Sequence, residues 1–303
     1  MNNSPRPPDP PSHSGFLYGL GAYGLWGVMP IYFKLIPSVT AFTLVAHRVT
    51  WSLPFLALLL FAGRRWSNLA AIFKHRRTVL ILLLSSVLIA INWTLYSWSV
   101  VSGHILAASF GYYLNPLANV LLGRFVLGER LSRMQWTAVG IAGAGVSVLA
   151  LGALDQLWIS LTLCVTFALY GLLRKVVKAD ALTGLAFETA VIAPVAIAYL
   201  VFLAATSGTA FAASDGQNVL LLLAGIATTT PLLLFTAAAR RLPYSTLGML
   251  QFLAPTLQFL LAVLVYGEPF TPSHAIAFAA IWTALAFYVT SLLYKARLPQ
   301  PPE

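Results

Sequence analysis

Ten stretches of about 20 apolar residues recur along this chain, each long enough to cross the hydrocarbon core of a bilayer as a helix. Water is absent there, so such segments must satisfy their own backbone N–H and C=O groups, and helices do so. The stretches fall at 16–36, 41–62, 78–98, 105–127 and 136–154, then at 157–173, 182–205, 219–239, 244–266 and 274–294. Only 9% of the 303 residues are charged, against roughly 25% in a soluble domain. The reading is an all-α integral membrane protein.

The net charge of +10 would point to nucleic acid in a soluble chain, but the positions of the charges assign it elsewhere. Every Lys and Arg except Lys34 and Arg48 lies in a terminal tail or in alternate connections, with Arg174, Lys175 and Arg240 among the latter. This positive-inside pattern places both termini of a multi-pass membrane protein in the cytoplasm. The lipid bilayer is then the basic chain's partner, and no nucleic acid is needed. Trp66, Leu69 and Phe73 stand at helical spacing among Arg64, Arg65, Lys74, Arg76 and Arg77, a segment expected to lie along the anionic leaflet.

The two halves of the sequence are related. Pro116, Gly128 and Glu129 recur 139 positions later as Pro255, Gly267 and Glu268. Each half holds five spans, an odd number, so the second enters the membrane inverted, as in secondary transporters. The expected division is a leader at 1–15, a first five-helix repeat at 16–154, a second at 155–295 and a tail at 296–303. Fold class follows: ten transmembrane helices as two inverted five-helix repeats.

The closures Leu127-Gly128-Glu129 and Tyr266-Gly267-Glu268 resemble the repeated signature of the EamA family in the drug/metabolite transporter superfamily. The segments at 46–52 (AHRVTWS), 92–93 (NW), 111–117 (GYYLNPL), 133–136 (RMQW) and 235–248 (FTAAARRLPYSTLG) resemble its RarD branch. The resemblance covers nearly the whole chain and implies a ten-helix inner-membrane permease working by alternating access. It names no substrate. The echo between halves is imperfect, since Ala254 stands for Asn115, and Phe187-Glu188 for His47-Arg48.

Arg48 is the residue that most needs a role, because an arginine at the bilayer centre costs about 2.5 to 3.5 kcal/mol on insertion scales. It lies seven residues from the outer end of its span, roughly 10 Å deep, and is assigned to a substrate-facing or gating position. Adjacent His47 titrates near neutrality and is compatible with a coupled proton, although a hydrogen-bonded structural histidine is the commoner case. Glu188, the repeat counterpart of Arg48, is expected on the inner side as a gate or coupling site rather than as an Arg48 partner.

Asn92, Trp93 and Tyr96 lie near the depth of Arg48 and are assigned with it to the lining of the substrate cavity. Tyr112, Asn115 and Asn119 form a stripe around Pro116, and Tyr112 and Asn119 align with Gln251 and Gln258. Tyr112, Asn115 and Gln251 are assigned to the cavity, and Asn119 and Gln258 to contacts between helices. Trp26 and Trp93 are candidates for stacking on an organic ligand. Pro116 and Pro255 each withdraw a backbone donor and are expected to break their helices. Thr228, Thr229 and Thr230 are expected to bond their own helix, and Glu129 and Glu268 to sit near cations.

Cys164, the single cysteine, excludes an intramolecular disulfide and reads as packing. No phosphate loop, nucleophile motif, paired carboxylates or metal-ligand cluster is present in the sequence, so neither a cofactor nor an enzymatic activity is expected. The reading is a secondary transporter for a small organic metabolite or drug-like molecule, with a non-transporting membrane scaffold or regulator as the alternative. A homodimer is compatible with the sequence.

Overall fold

A computed structural model describes residues 13–36, 39–101, 105–150, 157–207, 211, 214–265 and 272–297. The regular elements among them are all helical. In the first half they are α1 (His13–Lys34), α2 (Ala41–Ala62), α3 (Trp66–Ile72), α4 (Arg76–Val101), α5 (Ile105–Phe125) and α6 (Arg133–Ala150). The second half gives α7 (Leu157–Val176), α8 (Ala181–Ser207), α9 (Asp215–Ala239), α10 (Tyr244–Gln251), α11 (Leu253–Leu260), a π-helical turn (Leu261–Val265) and α12 (Pro272–Arg297).

Helices α2, α4, α7, α8 and α9 are long and apolar enough to cross a membrane. Their outer faces leave Leu58, Val87, Val165, Val195, Phe202 and Val219 exposed, side chains that a lipid environment would accept and water would not. Length, composition and exposed apolar surface agree on a multi-pass membrane protein.

Packing runs chiefly between the halves. Helix α6 lies along α12, α5 against α7 and α10, α2 against α8 and α9, and α1 against α9 and α11. At the crossing of α2 and α9, a Cβ on Gly225 would come within 2.2 Å of the Trp51 carbonyl. Only glycine permits that approach, which sets the distance between the two helices that build the site.

Three connections, α2 to α3, α7 to α8 and α9 to α10, meet at one end of the bundle, here termed the basic end. Lys175 donates to the carbonyls of Ala239 and Leu242, satisfying acceptors that the end of α9 leaves open. Arg240 donates to the carbonyls of Val177 and Ala179, and Arg65 stands 3.8 Å from Asp180. Asp180 in turn caps α8, accepting from the backbone N–H groups of Leu182 and Thr183 at 3.1 Å each.

Three sequence expectations need correction. Helix α1 takes in His13, Ser14 and Gly15, which were assigned to the leader; polar residues in a first turn give no apolar signal. Helix α12 likewise continues past 295 to Arg297. Pro116 does not break α5, which runs through it. A proline withdraws one N–H and leaves the rest of the ladder, and α7 and α10 hold α5 in line. In the second half the chain does change step, at Phe252 between α10 and α11. Pro255 lacks the N–H that would return to the carbonyl of Gln251. Gly267 and Glu268 lie outside the described residues.

Candidate functional site

Helix α2 begins at a Thr40 cap, whose hydroxyl accepts the Thr43 N–H at 3.3 Å, and brings Arg48 two turns into the bundle. The close approach at Gly225 puts α9 beside it. Arg48 Nε donates to Thr228 Oγ1 at 2.7 Å, and one turn farther Thr229 Oγ1 donates to Ser52 Oγ at 2.9 Å. The threonines therefore bond across to α2 rather than only along their own helix, a contribution of the second half that the sequence reading missed. Their polarity, set against Leu88 and Ile89 at the equivalent positions of the first half, was the available signal.

The Arg48 guanidinium carbon lies 5.5 Å from the Trp93 ring centroid and 5.6 Å from that of Phe33, within cation–π range. Tyr32, Tyr96 and Tyr112 are near enough to interact with its charge. Nε is occupied by Thr228, and the two terminal nitrogens make no hydrogen bond to a described residue. The result is a planar cation flanked by rings with its fork unoccupied.

Asn92 is hydrogen-bonded to two neighbouring helices. Its Nδ2 donates to the Leu163 carbonyl at 2.9 Å and to Thr166 Oγ1 at 3.0 Å, and its Oδ1 accepts from the Tyr112 hydroxyl at 3.2 Å. Fully buried, with two hydrogen bonds from its nitrogen and one to its oxygen, it ties α4, α5 and α7 together. It positions Tyr112, whose ring meets Tyr96 edge-on at 5.5 Å, so those tyrosines form the wall near Arg48. Gln251 is also taken: its Oε1 accepts from Asn119 Nδ2 at 2.8 Å, joining the two helices that the repeat makes equivalent. Asn115, one turn before Asn119 on α5, is buried, and neither polar atom of its side-chain amide has a hydrogen-bond partner among the described residues.

Trp26 packs in an aromatic cluster with Tyr23, Phe167 and Phe235 at 5.7 to 6.0 Å. Its carbonyl, deprived of a donor by Pro30, accepts from Gln258 Nε2 at 2.9 Å. His47 is buried, with Nδ1 accepting from Trp51 Nε1 at 3.1 Å and its ring against Phe211 at 4.9 Å. It is drawn toward Trp51 and Phe211, whereas its neighbour Arg48 bonds Thr228.

Toward the basic end stands a second polar cluster. Arg174 Nη1 lies 3.6 Å from Glu188 Oε1, and the two side chains are 0% and 1% exposed. Ser85 donates to Glu188 Oε1 and Tyr170 to Oε2, the latter at 3.4 Å. The sequence reading separated Glu188 from Arg48, and here Glu188 pairs instead with Arg174, which that reading had counted among the connection charges. A narrow cavity links the two clusters. Trp93, Thr228, Thr229 and Ser52 line it toward Arg48, and Thr189, Tyr170 and Glu188 toward the basic end. Its volume of about 10 Å³ admits about one water. Among the described residues no group of His, Cys, Asp or Glu could hold a metal ion.

Residues 13–151 match the EamA-like transporter family. Protein RarD of Escherichia coli K12 is 45% identical over 295 residues, covering 94% of this chain and 97% of its own. The chain belongs to the RarD branch of the EamA family. An uncharacterized transporter of Vibrio cholerae is 46% identical over 277 residues, 90% of this chain and 91% of that protein. The chloramphenicol-sensitive protein RarD of Pseudomonas aeruginosa is 34% identical over 278 residues, 90% and 93% of the two chains. A crystal structure with 18% identity shares the fold, with a TM-score of 0.72 over 94% of this chain and 99% of that one.

In this EamA chain the Gly128-Glu129 closure has a definite task. Gly128 takes φ +71°, a left-handed conformation that glycine adopts readily. The turn aims the Glu129 carboxylate at the start of α10, where it accepts from the N–H groups of Tyr244 and Ser245 and from the Ser245 hydroxyl. Glu129 therefore caps a helix of the second half at its positive end, and it also stands near enough to Lys175 to interact with that side chain's charge, as the expected setting near a cation requires.

Proposed function

We propose that this protein is a secondary transporter that moves a small organic molecule through the cavity beside Arg48 by alternating access. The observation that carries the reading is the Arg48 guanidinium, fixed at Nε by Thr228 and flanked by Trp93 and Phe33, with its terminal nitrogens unbonded by the described residues. Such a fork favours a carboxylate or a comparable acceptor, and the surrounding rings favour an apolar body. Asn115, in the same α5 stripe as Tyr112, supplies an amide without a hydrogen-bond partner among the described residues. Membership of a transporter family supports the reading.

In this account ten spans cross the inner membrane: α1, α2, α4, α5, α6, α7, α8, α9, the broken rod of α10 and α11, and α12. The two halves are inverted repeats, and the positive-inside rule places the basic end in the cytoplasm. A cavity with room for about one water is too small for an organic substrate, so admission requires helices to separate around it. Uptake of labelled aromatic and aliphatic carboxylates into sealed proteoliposomes tests the function. Saturable uptake by the wild type that is lost in Arg48→Ala supports it, and absence of uptake across the panel favours the scaffold.

A further inference from the structure

We infer that Glu188 is a proton-binding site whose charge, paired with Arg174, keeps the basic end closed. Calling the proton the coupled ion rests on the transporter reading; the switch itself does not.

A static buried ion pair should be well satisfied, since removing each charge from water costs several kcal/mol. This pair is not. Arg174 donates one hydrogen bond, from Nη2 to the Ala181 carbonyl at 3.1 Å, and neither Nε nor Nη1 has a hydrogen-bond partner. Its contact with Glu188, at 3.6 Å, is longer than a hydrogen bond.

Ser85 makes both protonation states of Glu188 feasible. Its Oγ lies within hydrogen-bond reach of Glu188 Oε1 and also 3.0 Å from the Leu82 carbonyl, yet a serine hydroxyl carries one proton. With Glu188 ionised, Ser85 donates to the carboxylate. With Glu188 protonated, the acid donates to Ser85 Oγ, and Ser85 turns its proton to Leu82. One proton adds to one carboxylate oxygen, no other covalent bond changes, and every hydroxyl keeps a partner.

Titratable or charged groups near Glu188 are few. Helix α7 presents Arg174 and Tyr170, and α4 presents Ser85. Helix α2 carries His47 and Arg48, engaged by Trp51 and Thr228. Helices α3 and α9 have no ionisable side chain facing this cluster, and Arg240 beyond α9 acts on Arg174 rather than on Glu188. Arg174 is thus the charge that Glu188 answers.

The pair also fills the space between α7 and α8. The Arg174 guanidinium lies in a slot left by Gly184, where a Cβ would come within 2.0 Å of Nη1. Neutral Glu188 releases Arg174, two residues from the end of α7, to extend toward water as long basic side chains do. The vacated slot opens past Leu185 into the cavity that Glu188 lines.

The test uses the full chain in lipid and needs no substrate. Infrared spectra are titrated with pH in the wild type and in Glu188→Gln. Labelling of Leu185→Cys by an impermeant thiol reagent, in a Cys164→Ser background, is followed over the same range. A protonated-carboxyl band that grows as pH falls and vanishes in Glu188→Gln is expected. So is labelling that accelerates at low pH and becomes fast at every pH in the variant. An unchanged band, or a labelling profile indifferent to Glu188, overturns the inference. Should the Gln variant not fold, Glu188→Asp must move the midpoint of the band. Arg48→Ala retains the pH response if both readings hold; a response kept while carboxylate uptake is absent throughout overturns the transport reading alone.

Discussion

Thr228 accepts the Nε proton of Arg48 at 2.7 Å, so the second half of the chain holds in place the cation that the first half supplies. The bond holds the guanidinium at Nε, beside the cavity that Thr228 and Trp93 line, and leaves the terminal nitrogens without a hydrogen bond to the described residues. Thr228→Val keeps the side-chain shape and removes the acceptor. We expect a loss of about 1.5 to 3 kcal/mol in stability, together with weaker binding of carboxylates in ligand-dependent melting.

Gly225 makes that bond attainable by letting α9 meet α2 backbone to backbone. Gly225→Ala must push the helices apart, at a cost of about 1 to 3 kcal/mol by analogy with other overpacked sites. Thermal denaturation should show the loss, and a second change at Thr228 should then cost less than it does alone.

Glu129 closes α5 and caps α10, so the two halves share one carboxylate at this end. Glu129→Ala should lower stability by about 0.5 to 2 kcal/mol, the range for a lost helix cap. Carboxylate binding at Arg48 should persist in the folded fraction.

Asn119 and Gln251 join equivalent helices of the two halves. Single alanine substitutions and the double variant should give a coupling of about 0.6 to 1.7 kcal/mol, the scale of hydrogen bonds between membrane helices. Additive losses would show that the bond contributes nothing specific.

Asp180 lies at the basic end, outside the spans. Burial alone would raise its pKa, but hydrogen bonds from the Thr183 backbone and hydroxyl, the Arg65 charge and the Leu182 N–H together hold it below the ordinary value. A lowered folded value means stability that is present above the unfolded value, about 3.9, and is lost as pH falls through the folded one. Asp180→Asn should therefore melt lower than the wild type at neutral pH, and the gap should close in strong acid.

The helical membrane architecture was legible because apolar runs of span length leave the backbone few alternatives. Arg48 stood out by the same logic, as an arginine away from the connections. Arg174 did not, because its position near the end of α7 fits the positive-inside pattern, and its pairing with Glu188 depends on α7 and α8 meeting in space. Gly184, one turn before Glu188, was the trace of that slot in the sequence. Asn92 and Gln251 were read as cavity residues because polarity within a span marks both ligand contact and helix fastening. The three bonds of Asn92 and the Asn119 partner of Gln251 show helix fastening, which depends on contacts between helices that the sequence does not display.

The most direct measurement is ligand-dependent thermal stabilisation of the purified protein, with amino acids, organic acids and amphiphilic aromatics as probes, on wild type, Arg48→Lys and Arg48→Ala. Binding to the folded state raises the melting temperature by mass action. The account predicts stabilisation by carboxylates bearing an apolar body, weakened in Arg48→Lys, which keeps the charge but loses the fork, and abolished in folded Arg48→Ala. Undiminished stabilisation in Arg48→Ala would contradict it.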